Sequence, residues 1–309
     1  MHLRGAIRGL PLAAALLLLS CAAPAPDPPP GGTSRQAVVG GTIDDASKAV
    51  VGLGVGINLF FFGHCSGTLI APNLVLTARH CVALTSSPGG YGSVVCGKTP
   101  FTLQGPGSIF RATVETVRPE VDGKAFYRGT GTVFVDTSAN DICGYDVALF
   151  MLEGKGMPAS AATPIVPRIG SSAVKGESFS AVGYGLTAPD GGTSGTRMRI
   201  DGRKVVCVKS GCTALVKSTE FGSDAPTCKG DSGGPALDAK GRVIGVLSRG
   251  PQGCTSSVYG DVASNRQLIL TAVREAARQG GYPLPAWAAP YAPDLGLDLG
   301  ADSGAATDA

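Results

Sequence analysis

Short apolar runs broken by glycine- and proline-rich turns constrain this chain more than any other feature of its sequence. From Val38 onward, runs of strand type at 50–57, 67–70, 74–77, 147–152, 178–183, 204–208 and 242–248 alternate with turn clusters, which is the rhythm of an all-β chain. The 46 glycines and 22 prolines among 309 residues exceed the usual share of roughly 12% and suit many short strands better than long helices. One stretch has helical periodicity. Leu268, Ile269, Ala272, Val273 and Ala276 form an apolar stripe over 265–279, with Ser264 and Gln267 as a capping pair and Gly280-Gly281 as the stop.

Hydrophobic residues make up 43% and charged residues 16%, so a chain of this length has ample core for one large or two medium domains. Lys+Arg number 26 against 23 Asp+Glu, and no basic stripe with interleaved aromatics is present, so nucleic acid is not an expected partner. Residues 1–21 read as a signal peptide, because Arg4 and Arg8 precede an apolar run from Leu10 to Leu19 that is too short to span a bilayer as a mature helix. The run ends Leu18-Leu19-Ser20-Cys21, which resembles the lipobox of bacterial lipoproteins and makes Cys21 a lipidation candidate. An ordinary secretory signal cut near Ala22 is the alternative. Either way the chain is expected to be exported, lipid-anchored to a bacterial membrane or secreted. Residues 22–37, with Pro28-Pro29-Pro30-Gly31-Gly32, read as a tether or propeptide. Residues 281–309 lack periodicity and read as a disordered tail.

Nine cysteines less Cys21 leave eight, an even number that suits disulfides in an oxidising compartment. No Cys-x-x-Cys pair with partner histidines points to a metal, and neither a metal nor a cofactor is expected.

The chemistry concentrates in Cys228-Lys229-Gly230-Asp231-Ser232-Gly233-Gly234-Pro235. A serine hydroxyl is a weak nucleophile until a base removes its proton. Three histidines are available, His2, His64 and His80. His2 falls in the signal, and His80 ends the strand-like stretch Leu76-Thr77-Ala78-Arg79-His80-Cys81. Asp146 opens an apolar run at 146–152, where a carboxylate can be partly buried and still orient an imidazole. The segment 230–234 also fits the Gly-x-Ser-x-Gly pattern of α/β-hydrolases, but in those enzymes the histidine follows the serine, and no histidine follows His80. A subtilisin-like order would need an aspartate ahead of His80, and no matching motif surrounds Asp44 or Asp45.

Together with Val38-Val39-Gly40-Gly41, Asp146-Val147-Ala148-Leu149, Gly183-Tyr184-Gly185 and Ser248-Arg249-Gly250, these stretches make the chain similar to the chymotrypsin/trypsin-like serine proteases across most of 38–279. The resemblance implies an all-β fold of two six-stranded antiparallel β-barrels, at 38–165 and 166–280, with a cleft between them and a C-terminal α-helix packed on the second. It implies a serine endopeptidase, acting as a monomer on protein or peptide substrates, with His80, Asp146 and Ser232 as the triad and the N–H groups of Gly230 and Ser232 at the oxyanion. Ser248 would support Asp146, and the edge 248–250 would pair with substrate backbone. Asp231 would pair with an ammonium at Val38 once the chain is cut after Ala37, where trypsin-activated relatives carry Arg or Lys.

The specificity pocket implied by the same resemblance is lined by Pro226, Thr227, Ser248, Gly250 and Ser257. Pro226 stands where trypsin-like members carry Asp, and Ser257 replaces a frequent glycine, so small or medium uncharged P1 side chains are expected; Asp224 is a rival acid for the pocket. Arg249 stands where the family usually has an aromatic residue. Cys65–Cys81 and Cys228–Cys254 match the family's braces around the histidine and the pocket. Cys207–Cys212 and Cys96–Cys143 then follow by elimination. Two other readings remain at this point: a proteolytically silent surface protein that keeps the fold for partner binding, and a hydrolase acting mainly on esters.

Overall fold

The computed structural model describes residues 38–57, 60–89, 93–103, 108–118, 126–293 and 296. The expected signal at 1–21 with Cys21, and the tether at 22–37, lie outside the described residues. The strands run β1 (Thr42–Ile43), β2 (Val50–Ile57), β3 (Phe60–Ala71), β4 (Leu74–Thr77), β5 (Leu84–Thr85), β6 (Phe101–Leu103), β7 (Ser108–Thr113), β8 (Tyr127–Val135) and β9 (Ala148–Leu152). They continue as β10 (Ser178–Gly183), β11 (Met198–Val208), β12 (Glu220–Ser223), β13 (Pro235–Leu237), β14 (Val243–Arg249) and β15 (Ser257–Asp261).

Strands β2-β3-β4-β9-β8-β7 pair antiparallel in that order and close into a barrel. The order β11-β10-β13-β14-β15-β12 is closed by pairing of β12 with β11, and β1 adds a further strand on β11. Two closed six-stranded antiparallel barrels therefore carry the chain, the chymotrypsin-like architecture. β5 and β6 form a separate ribbon.

The C-terminal helix, Arg266–Gly280, corrects one expectation, because it lies on β3, β4, β8 and β9 of the first barrel rather than on the second. Every residue of β4 and β9 is buried. Such strands need cover on both faces; the barrel interior supplies one, and Ile269, Leu270, Ala272, Val273 and Ala276 of the helix join the same apolar core. The buried Asn73 side chain anchors the helix by donating to Ala276 O at 3.1 Å. Gly281, at φ +64°, closes it with an N–H donated to Ala277 O, a left-handed stop that glycine makes at no steric cost.

The helix entry also differs from expectation. Ser264 does not cap it: the helix starts without a side-chain cap at Asn265, and Ser264 lies in the preceding 3₁₀ turn Ala263–Asn265, where Asp261 Oδ2 accepts its N–H at 2.9 Å and its O–H at 2.6 Å. Order continues past the helix, where residues 281–309 were expected to be disordered. Tyr282 donates to Asn73 Oδ1 at 2.5 Å, Ala288 and Ala292 are buried, and Leu284, Trp287 and Tyr291 pack on the core. These aromatic and aliphatic anchors are spaced without helical period, which hides them from a periodicity reading. Residues 297–309 lie outside the described residues.

A buried cation staples the barrels. Arg197 is 0% exposed, and donates to Asp44 O at 2.8 Å, Val50 O at 3.2 Å, Val114 O at 2.9 Å and Tyr184 Oη at 2.8 Å. Tyr184 in turn donates to Glu115 O at 2.8 Å, and burial pushes its hydroxyl up to about 12. Arg197→Met would leave these carbonyls unpaired in the interior, so a loss of about 3 kcal/mol or more in urea unfolding is expected. A loss within about 0.5 kcal/mol would mean that the cation is not structural.

Candidate active site

His80 sits on the 3₁₀ turn Arg79–Cys81 that follows β4. The Cys65–Cys81 disulfide ties that turn to β3. On its other side Arg79 donates to Asp136 O at 2.8 Å and stacks over Phe101, 4.1 Å from the ring centroid. The backbone of the histidine is thus held from three directions.

Asp146 follows the short turn Ile142–Tyr145 and precedes β9. Its buried carboxylate accepts three hydrogen bonds: His80 N–H on Oδ1 at 2.8 Å, His80 Nδ1 on Oδ2 at 2.8 Å and Ser248 O–H on Oδ2 at 2.6 Å. A carboxylate can only accept, so the imidazole proton resides on Nδ1 and Nε2 is left as the basic nitrogen. Burial disfavours the imidazolium and Arg249 opposes it by charge, but the charge and hydrogen bond of Asp146 outweigh both, and the His80 pKa is raised above its ordinary 6.5. Ser248 reaches Asp146 because the β14–β15 register shifts between Leu247 and Arg249, a bulge that re-aims the intervening side chain.

The Ser232 loop comes from the second barrel and docks on the first through Ser66 of β3. Ser66 N–H donates to Ser232 O at 2.7 Å, Ser66 O–H donates to Gly230 O at 2.9 Å, and Tyr184 N–H donates back to Ser66 Oγ at 2.9 Å. Ser232 O also lies 3.6 Å from Cys81 Sγ, beside His80. Ser66 is the residue that sequence reading missed; its signal is a hydroxyl between a cysteine and a glycine in a mostly apolar strand. Gly230, at φ +98°, turns the loop so tightly that a Cβ there would lie 2.8 Å from Gly185 Cα.

Asp231 is buried beneath the loop and accepts N–H from Gly185 at 2.7 Å and from Cys228 at 2.9 Å. Burial pushes its carboxyl up to about 7 despite these two donors, and no cation faces it among the described residues. The Val38 side chain is buried in the core of the second barrel, and Val39 N–H donates to Pro226 O at 3.0 Å. In the candidate pocket the Thr227 and Ser257 hydroxyls bond each other at 2.5 Å, and Ser257 donates to Ala225 O at 2.7 Å. Gly250 is exposed, and a Cβ there would meet Ser256 O at 2.5 Å. The Asp224 carboxylate is taken up by Lys204 N–H at 2.7 Å.

Four disulfides join Cys65 to Cys81, Cys96 to Cys143, Cys207 to Cys212 and Cys228 to Cys254. Cys65, His80 and Cys81 lie close enough to form a metal trio, but both sulfurs are consumed by the first disulfide, and a disulfide sulfur is not the thiolate that metals bind.

Two antiparallel barrels, a histidine–aspartate pair on one and a glycine-bound serine loop reaching over from the other, define a chymotrypsin-like serine-type endopeptidase. Residues 44–272 match the model of the family described as Trypsin, and the chain belongs to that family. It is 30% identical to human granzyme M over 211 residues, 65% of this chain and 74% of the relative. It is 27% identical to a trypsin of Saccharopolyspora erythraea over 229 residues, 69% of this chain and 88% of the relative. The four disulfides accord with an oxidising, extracellular setting. Among the described residues no helix is long and apolar enough to cross a membrane.

Proposed function

We propose that the chain cleaves peptide bonds within proteins through His80, Asp146 and Ser232, by way of an acyl-enzyme. The observation that carries this reading is the Asp146 carboxylate, which collects three donors and so orients His80 beside the docked Ser232 loop. In the first step Nε2 of His80 takes the Ser232 proton as Oγ bonds to the peptide carbonyl carbon, and Asp146 stabilises the imidazolium. The N–H groups of Gly230 and Ser232 would receive the oxyanion. When the C–N bond breaks, His80 returns the proton to the leaving amine, and water repeats the sequence to release the acid.

At P1 the reading is a small or medium uncharged side chain. Pro226 brings no charge, the Ser257 and Thr227 hydroxyls occupy each other, and Asp224 is engaged by Lys204. Maturation by a cut between Ala37 and Val38 would bring an ammonium to the buried Asp231 carboxyl, and a protease with this P1 preference could make that cut itself. Export as a lipid-anchored or secreted monomer completes the reading.

A fluorophosphonate should label the wild-type protein and not Ser232→Ala, and a peptide panel should rank Ala or Val at P1 above Arg. Labelling that persists in Ser232→Ala would remove the nucleophile from that position. Arg peptides cut fastest would overturn the pocket reading. N-terminal sequencing of the mature protein separates a blocked Cys21 from a free Val38.

A further inference from the structure

We propose that the buried Glu220–Arg249 ion pair is a positioning clasp, which locks the segment carrying Asp146 on the first barrel to β12 and β14 of the second and sets the direction of the Ser248 hydroxyl. The proposal rests on the reading of Asp146 and His80 as a working pair. Neither Glu220 nor Arg249 belongs to that pair, and the residue at 249 departs from the aromatic side chain usual in the family.

The geometry is saturated. The Glu220 side chain is 1% exposed and that of Arg249 is 10% exposed. Glu220 Oε1 accepts from Arg249 Nη1 at 2.6 Å and from Gly144 N–H at 2.7 Å. Glu220 Oε2 accepts from Arg249 Nη2 at 2.7 Å and from Lys217 N–H at 2.8 Å. Thr219, next to Glu220, donates its hydroxyl to Gly144 O at 2.6 Å. Gly144 lies two residues before Asp146, so the second barrel grips both the N–H and the C=O of the turn that aims this carboxylate. That turn holds Gly144 at φ +95°, a left-handed conformation that glycine adopts at no steric cost.

Arg249 also decides where the Ser248 proton goes. Its Nη1 donates to Ser248 Oγ at 3.1 Å, and its Nη2 donates to Leu215 O at 2.5 Å. A guanidinium has donors only, so Ser248 Oγ must accept on that side, and its single hydrogen is left for Asp146 Oδ2, which lies 2.6 Å from Ser248 Oγ. Glu220 orients Arg249, Arg249 orients Ser248, and Ser248 and Gly144 orient Asp146 from two sides.

The charges give the clasp a signature that a scaffold alone would not have. Asp146 and Arg249 are the charged groups acting on His80, Arg79 interacts with Asp146 by charge, and Glu220 pairs with Arg249. Arg249 disfavours the imidazolium, and Glu220 moderates that effect by neutralising Arg249. The two halves of the clasp therefore push His80 in opposite directions.

The test is NMR titration of the His80 imidazole in the full chain carrying Ser232→Ala, combined with kcat and KM of the same variants with Ser232 intact. Arg249→Met is expected to raise the His80 pKa by about half a pH unit, and Glu220→Gln to lower it by a similar amount. The double variant should return close to the starting value while kcat stays down by about tenfold or more, with KM changed less. Arg249→Lys guards against misfolding: it keeps the charge but not the fork, so the His80 pKa should hold while kcat falls. Shifts of the same sign in the two single variants, no shift in either, or an unaltered kcat in Arg249→Lys would overturn the clasp. The titration needs no turnover, so a chain lacking Ser232-dependent hydrolysis would sink the protease reading alone and leave the clasp to be judged by the imidazole.

Discussion

Asp146→Asn is expected to lower kcat/KM about 10⁴-fold, the size of loss known for triads of this kind when only the carboxylate is neutralised. An amide has nearly the same shape, so the substitution leaves the fold in place and alters hydrogen-bond polarity. Asp146 now accepts from His80 N–H, His80 Nδ1 and Ser248 O–H. An asparagine turns one of those acceptors into a donor, and an amide N–H facing Nδ1 forces the ring proton onto Nε2. A protonated Nε2 cannot take the Ser232 proton. The pH profile carries a second readout, because a general base works only when neutral and rate is lost as pH falls through its pKa. In the wild type that limb should lie above 6.5, since Asp146 raises the His80 pKa against burial and Arg249. With the carboxylate removed, burial and Arg249 remain and both lower it, so any residual activity should persist to more acid pH. A variant within about tenfold of wild type would mean that His80 is not held by Asp146 during turnover.

Gly233→Ala is expected to lower hydrolysis by about 100-fold or more and to weaken folding at the same time. Gly233 adopts φ +81°, and a Cβ there would run into Thr77 Oγ1 and Ser66 O and lie 2.9 Å from Ala78 N. The atoms it meets belong to β3, to the end of β4 and to a buried hydroxyl that itself donates to Ser66 O. None is the free end of a flexible side chain, so the loop must lift away from the first barrel. Lifting it breaks the bond from Ser66 N–H to Ser232 O and draws the hydroxyl away from the histidine side of the cleft. A displacement of about 1 Å costs on the order of 100-fold in rate, and the left-handed backbone adds about 1–3 kcal/mol of strain. Gly131→Ala is the control, because Gly131 has φ +83° but nothing within 4 Å of a Cβ. It should lose stability only. Fluorophosphonate labelling and urea unfolding of the two variants separate the effects, and a Gly233→Ala protein labelled at the wild-type rate would contradict the docked-loop account.

The candidate residues His80, Asp146 and Ser232 could be picked out of the sequence because each is announced by its neighbours. His80 follows a strand run and adjoins a cysteine, Asp146 opens an apolar run, and Ser232 is wrapped in glycine. The runs at 50–57, 74–77 and 178–183 coincide with β2, β4 and β10, since each is continuous and apolar enough to stand out locally. β8 did not stand out: Tyr-Arg-Gly-Thr-Gly-Thr-Val-Phe-Val is only partly buried along its length and becomes a strand through its pairing with β7 and β9. β12 begins with Glu220, a residue that argues against a buried strand until Arg249 is brought to it from 29 positions away. The helix was visible from its stripe, but the surface it covers was not, because a stripe states that a face is apolar and not which neighbour will bury it.

From the sequence alone came the all-β class, the order histidine, aspartate, serine, and the glycine-rich turns that separate the strand runs. All are written along the chain itself, in side-chain chemistry, in the length of the apolar runs and in the backbone sterics of glycine and proline. Tertiary structure alone decided that the helix returns to the first barrel, that Ser66 is the hook for the Ser232 loop, and that Glu220 and Arg249 meet behind Ser248. These depend on closing two barrels against each other, and the partners of a buried charge or hydroxyl exist only once distant segments share one desolvated space.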